Sequence, residues 1–271
     1  MRAREYGASG PLVLVLHGGP GAPGHMAPVA RGLAGSFRVL EPWQRASGGV
    51  PLSVARHIED LHDLVTSRRG RQPPALVGSS WGAMLALAYA AAYPDEAGPL
   101  ALVGCGTFDL AARKRLHATV ESRMPITVRE RIERLTVDVP DPDERLRIKG
   151  DLLLPLYSYD LVTTETETET VDARAHEETW ADMLCLQADG TYPAAFAAIT
   201  VPVIMLHGAQ DPHPGRMTRA ALQAHLPQLE YKEWRRCGHY PWLEKHVRGE
   251  FFAALRNWLD RRLDAVRFPA C

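Results

Sequence analysis

Four short apolar runs, each free of charged residues, constrain this chain more than any other feature. They are Leu12-Val13-Leu14-Val15-Leu16, Ala75-Leu76-Val77-Gly78, Leu100-Ala101-Leu102-Val103 and Val201-Pro202-Val203-Ile204-Met205-Leu206. A strand with one face in water alternates apolar and polar residues. A run with no alternation marks a strand buried on both faces, the pattern of a parallel sheet. Phe37-Arg38-Val39-Leu40 is a weaker version of the same run. Helical patterns separate the runs. Leu52, Ala55, Ile58, Leu61 and Val65 follow the three-to-four spacing of an amphipathic helix, and Trp81 to Tyr93 is apolar nearly all round, as a buried helix would be. Strand and helix in this rhythm predict an α/β chain with a doubly wound, mostly parallel sheet and helices on both faces.

The rhythm stops between about Thr107 and Ile199. Charged helical stretches such as Val128 to Leu135 alternate there with breaks at Pro140 and Pro142, and no strong strand pattern occurs. The expectation is one core built from 1–106 and 199–271, with 107–198 inserted as a helical lid. Within the lid, Thr163 to Thr170 is a low-complexity Thr-Glu alternation that reads as a solvated loop. The core pattern resumes with a last strand at Leu229 to Trp234 and a closing helix from Leu243 to Leu263.

Composition excludes several classes of partner. A formal net charge of -1 supplies no field for a nucleic-acid backbone. The four cysteines, Cys105, Cys185, Cys237 and Cys271, form no C-x-x-C pair, which suits reduced thiols better than disulfides or a zinc site. The first apolar run, Leu12 to Leu16, is too short for a signal peptide or a membrane span, so no membrane association and a cytoplasmic location are expected. There is no phosphate-binding G-x-x-x-x-G-K-[ST] loop and no H-E-x-x-H helix. The Gly18-Gly19-Pro20-Gly21 stretch lacks the spacing of a dinucleotide loop, so neither cofactor nor metal is expected. His57 and His62, five residues apart, do not share a helical face and are expected at a helix surface.

Gly78-Ser79-Ser80-Trp81-Gly82 fits G-x-S-x-G between a buried strand and a buried helix, the context in which a tight turn lifts its central serine above a sheet. Ser80 is therefore the candidate nucleophile. A serine hydroxyl needs a neighbouring base, and the base needs an acceptor that fixes its tautomer. Asp211 follows the strand ending at Leu206, and His239 lies in Cys237-Gly238-His239-Tyr240-Pro241 beyond the last strand. The order Ser, Asp, His matches the chain order of such sites on α/β sheets. Asp109 is the alternative acid, and His207, His213 and His246 compete for the base; His246 is expected on the closing helix. His17-Gly18-Gly19-Pro20-Gly21, after the first core strand, offers an oxyanion donor. Pro20 has no N–H, so the pair expected is the Gly19 and Trp81 amides, with Gly18 in reserve.

These residues resemble those of the α/β-hydrolase superfamily and, within it, of the proline iminopeptidase-like branch. His17 to Gly21 and Gly78 to Gly82 carry the likeness, and Gln44-Arg45-Ala46-Ser47-Gly48 is weakly similar to that branch's D-Q-R-G-x-G-x-S stretch. It covers roughly 11–106 and 199–271. It implies an α/β-hydrolase fold and a metal-independent serine hydrolase acting on a small-molecule ester, amide or short peptide through an acyl-Ser80 intermediate. In that branch acidic lid residues hold a substrate's free amino group, a role that would fall here to Glu177, Glu178 and neighbouring Trp180. Three departures stand beside the likeness. Glu41-Pro42-Trp43 and Ala46 break the Gln-Arg-Gly pattern, the Asp211 loop lacks an arginine, and the chain begins almost at the first core strand, with part of the usual leading hairpin missing. The competing reading is a hydrolase-fold protein that holds a ligand without turnover.

Overall fold

The computed structural model describes residues 1–68, 70, 72–162 and 170–267, with no side-chain detail beyond 263. Seven strands form one sheet: β1 (Ala3–Tyr6), β2 (Leu12–Leu16), β3 (Arg38–Pro42), β4 (Ala75–Ser79), β5 (Leu100–Val103), β6 (Val203–Gly208) and β7 (Leu229–Trp234). Their spatial order is β1-β3-β2-β4-β5-β6-β7. All neighbours are parallel except β1, which runs antiparallel to β3. The four apolar runs become β2, β4, β5 and β6, and every residue of these strands is buried. Leu229 to Trp234 forms β7 as expected. Strand β1 was not anticipated. Its sequence, Ala3-Arg4-Glu5-Tyr6, lies on the sheet edge with partly exposed side chains, so it carries no apolar signal.

Alternate residues of each strand feed opposite faces. Leu12, Leu14, Leu16, Leu76, Leu100, Leu102 and Met205 pack under α2 (Val54–Arg68) and α3 (Trp81–Ala92). Val13, Val15, Val77, Ala101, Val103 and Leu206 pack on the other face, against the flanking helices α1 (Ala27–Leu33) and α10 (Arg248–Arg267). Each fully buried Leu or Val contributes about 1.5–3 kcal/mol, so the double-sided core accounts for the unbroken runs.

Between β5 and β6 the chain passes through α4 (Leu110–Arg123), α5 (Ile126–Asp138), α6 (Pro142–Leu153), α7 (Ala173–Ala188) and the single turn α8 (Thr191–Ala194). α9 (Gly215–Gln223) connects β6 to β7. The Thr163–Thr170 alternation falls, apart from Thr170, outside the described residues.

Two local expectations are corrected. His57 is not a surface residue: it is 1% exposed, and its Nε2 lies 2.9 Å from Thr179 Oγ1 on α7. That partner is 122 positions away, beyond the reach of any spacing rule. The closing helix starts at Arg248, because a 3-10 turn at Pro241–Leu243 and a further turn precede it. His246 therefore precedes α10, with its Nε2 2.9 Å from an Arg236 Nη2 and 3.4 Å from Asp160 Oδ2. No helix among the described residues is long and apolar enough to cross a membrane.

Candidate active site

The turn from β4 into α3 is as tight as its glycines suggest. Ser80 has φ 52° and ψ -116°, the single positive φ among described non-glycine residues. Such a conformation costs on the order of 1–3 kcal/mol and persists only where the surroundings impose it. A Cβ on Gly78 would lie 2.2 Å from the Gly82 carbonyl oxygen, and one on Gly82 would lie 2.3 Å from that of Leu16. No other residue type fits at either position. The Ser80 N–H donates to Val103 O at 2.9 Å, fixing the turn to β5. Ser80 itself is half-buried and heads α3, whose positive end faces the same space. Ser79 points into the protein, 0% exposed, and its hydroxyl has no partner among the described residues.

The loops after β6 and β7 bring Asp211 and His239 together. His239 Nδ1 lies 2.6 Å from Asp211 Oδ2, and both are buried. Burial works to raise the Asp211 carboxyl, but His239, His213 and His207, with a hydrogen bond from His213, outweigh it and hold the group well below the usual carboxylate range. An ionised carboxylate only accepts, so Nδ1 of His239 carries the hydrogen and Nε2 keeps its lone pair. Burial lowers the His239 pKa, against the raising effect of Asp211, so the neutral imidazole is favoured. The ring abuts the same backbone that anchors Ser80: a Cβ on Gly104 would lie 2.9 Å from His239 Nδ1. Among the described residues no hydrogen bond joins the Ser80 hydroxyl to His239. Such contacts commonly tighten only when substrate is bound.

The His17–Gly21 loop packs directly on the elbow, where a Cβ on Gly18 would lie 3.0 Å from Ser80 Cβ. All four loop carbonyls that follow His17 are held. Gly18 O accepts from His17 Nδ1 at 2.9 Å, Gly19 O from Ala22 N at 3.0 Å, Pro20 O from His176 Nδ1 at 3.0 Å and Gly21 O from Asp172 N at 2.7 Å. Because the Gly18 carbonyl and the Gly19 N–H belong to one planar peptide, fixing the first aims the second. Among the described residues neither the Gly19 nor the Trp81 N–H has an acceptor. Burial lowers the His17 pKa to about 4, so it stays a neutral donor. Gln44 joins loop and elbow: its Nε2 donates to His17 O at 3.1 Å and its Oε1 accepts from Trp81 Nε1 at 2.7 Å.

Other candidates are engaged elsewhere. Asp109 caps α4, accepting from Ala112 N at 2.7 Å. His207 Nε2 donates to His213 O at 3.0 Å and lies 3.2 Å from Asp211 Oδ2. Glu178 has both oxygens committed, one to Leu52 N at 2.8 Å and one to Arg174 at 2.7 Å. Glu177 is exposed, and Trp180 packs against the core under α3. Two neighbours hold the site together: the sequence offered His213 only as a competing base, and Glu244 not at all. His213 donates to Asp211 Oδ1 from both its N–H and its ring. Glu244, 0% exposed, accepts from the amides of Gly238 and Tyr159 at 2.8 Å and of Asp160 at 2.7 Å, holding the loop that carries His239. Asp-Pro-His is legible as a tight turn; Glu244 had no local signal. Asp211, His213 and His239 also offer ligand atoms within 4.8 Å of one another, a spacing that hydrogen bonding alone accounts for.

Several known proteins resemble this chain. A proline iminopeptidase from Lactobacillus helveticus is 26% identical over 276 aligned positions, covering 93% of this chain and 90% of that protein. A second, from Lactobacillus crispatus, is 28% identical over 200 positions, 69% of this chain and 65% of its own length. Among solved structures, a thermophilic esterase from Thermogutta terrifontis superimposes with a TM-score of 0.65 at 21% identity, covering 97% of this chain and 93% of that one. An E-2-(acetamidomethylene)succinate hydrolase gives a TM-score of 0.64 at 20% identity, with 95% and 94% covered. The model of the alpha/beta hydrolase family matches residues 12–255. With a seven-stranded sheet, an elbow at the end of β4 and a family match over nearly its whole length, the chain belongs to the alpha/beta hydrolase family.

Proposed function

We propose that this protein is a serine hydrolase that cleaves a small ester or amide through an acyl-Ser80 intermediate. His239 Nε2 takes the Ser80 proton as the hydroxyl attacks the carbonyl, then delivers it to the leaving group. Asp211 holds the imidazole in the required tautomer and stabilises its charged form. The Gly19 and Trp81 amides receive the developing oxyanion, each such donor typically contributing about 3–4 kcal/mol in the transition state. Water repeats the sequence on the acyl-enzyme, so no metal or cofactor takes part. The helices between β5 and β6 act as the lid that shapes the substrate space. The observation that carries the reading is the strained Ser80 turn next to a 2.6 Å Asp211–His239 pair.

An aminopeptidase reading is favoured by the likeness to proline iminopeptidases at 26% identity. Against it, both Glu178 oxygens are occupied, which removes one acid expected to hold a substrate amine. We therefore expect p-nitrophenyl esters to be better substrates than prolyl-β-naphthylamide. A fluorophosphonate probe should label Ser80. Full esterase turnover by a Ser80→Ala protein would overturn the mechanism, and equal cleavage of free and N-acetylated prolyl-β-naphthylamide would exclude amine recognition.

A further inference from the structure

Asp211 is contacted by three imidazoles, and the mechanism uses one of them. We propose that His213 is a positioning residue: it fixes Asp211 through Oδ1 and lies flat against His239, so that Asp211 Oδ2 and the His239 ring are held in one register. This rests on the roles given above to Ser80, Asp211 and His239.

A carboxylate on a short turn is free to rotate about its last bond unless both oxygens are engaged. Oδ2 faces His239 Nδ1 at 2.6 Å and His207 Nε2 at 3.2 Å. Oδ1 accepts from the His213 N–H at 2.8 Å and from His213 Nδ1 at 3.0 Å. The backbone bond would form with almost any residue at 213; the ring bond requires a side-chain donor of this length. The ring does a second thing that a backbone amide cannot. It stacks on His239 with centroids 4.6 Å apart and planes 19° from parallel. Tyr157 sits edge-on to both rings, at 5.8 Å from His213 and 5.6 Å from His239, and Tyr240 meets His239 edge-on at 4.7 Å. The base is thus flanked by His213, stacked on one face, and by two tyrosines set at steep angles to its ring.

The electrostatic surroundings are defined on every side. His207 comes from β6 itself and Asp211 from the loop after it, Tyr157 from the segment after α6, and Tyr240 and His25 lie around His239. On its outer side His213 borders a cavity of about 310 Å³ that Arg115, Arg123, Arg216 and Glu233 also line. His213 acts on His239 in one direction by two routes. It offsets the Asp211 charge through the Oδ1 hydrogen bond, and any positive charge it carries opposes one on its stacked neighbour; both lower the proton affinity of His239.

The experiment compares wild type, His213→Ala and His213→Gln on p-nitrophenyl butyrate from pH 4.5 to 9, with urea midpoints to verify folding. Ala should lower kcat on the order of 10-fold while leaving KM within about twofold, since a hydrogen bond to a charged group is lost away from the substrate. Gln, which retains an N–H donor without the ring, should recover part of that loss. In both variants the acidic limb of kcat/KM should move to higher pH. A merely structural His213 would lower the urea midpoint and leave that limb in place, and this result would overturn the proposal. Histidine ring titration by NMR, comparing Ser80→Ala with Ser80→Ala/His213→Gln, reads the coupling without turnover. The His239 midpoint should rise when His213 is replaced, and an unchanged midpoint would also overturn the proposal. If the wild type neither turns over esters nor reacts with fluorophosphonate, the hydrolase reading fails while the NMR comparison still decides the role of His213.

Discussion

At the scale of single residues, the site is built on positions where a side chain is either indispensable or impossible. Ser80 is held at φ 52° because Gly78 and Gly82 have no Cβ to collide with backbone 2.2–2.3 Å away. Gly82→Ala should therefore reduce soluble expression or lower the thermal midpoint sharply, by at least about 3 kcal/mol of stability, because the obstructing atom is the Leu16 carbonyl and not a flexible side-chain end. Asp211→Asn should behave differently. It keeps the shape of the site but allows the wrong His239 tautomer, so kcat should fall by roughly 10⁴-fold with the urea midpoint changed far less. The sequence made these residues legible for a physical reason. Each sits in a short turn at the end of a buried strand, and the pattern of that turn is local.

At the scale of elements, legibility tracks the same distinction. Strands β2, β4, β5 and β6 announce themselves because burial on both faces leaves apolar runs, with Ser79 and His207 only near the strand ends, whereas β1 owes its place to pairing with β3 and shows nothing in Ala3-Arg4-Glu5-Tyr6. Contacts between distant segments were invisible. Glu244 reaches back to Gly238 and forward in space to Tyr159 and Asp160, tying the His239 loop to the segment after α6. The His239 N–H also donates to Tyr157 O at 2.7 Å. Glu244→Ala leaves three amides without their acceptor and should cost about 3 kcal/mol or more, read as a lower urea midpoint together with reduced esterase activity. Glu244→Gln, which keeps one acceptor oxygen, should lose less on both measures. The same kind of long-range contact explains why His57 is buried: α2 gains an inner partner only when α7 has folded over it.

For the whole molecule, acid should act twice. His17 and His57, each 1% exposed, have pKa values lowered mainly by burial to about 4, from 6.5 for the free side chain. Between those values the unfolded chain binds protons that the folded chain refuses. Stability present above pH 6.5 is therefore lost progressively as pH falls toward 4, and below that the loss levels off. Differential scanning calorimetry from pH 7.5 to 4 should show the midpoint dropping across this window, with a shallower slope in His57→Gln. Catalysis should also fail in acid, as His239 becomes protonated. Burial holds its pKa below the free value, so the acidic limb of activity should lie below pH 6.5. A pH–rate profile flat down to pH 4 would remove His239 from its assigned role.

The attachment of α7 limits how this architecture can be re-engineered. Asp172 accepts from Ser47 N at 2.7 Å, Glu178 from Leu52 N at 2.8 Å and Asp182 from Val54 N at 2.7 Å. Exchanging 107–198 for the equivalent stretch of another hydrolase would thus strip acceptors from three amides leading into α2. A transplanted segment would have to bring its own acids at that spacing, and a chimera lacking them should expose the approach to α2 to proteolysis.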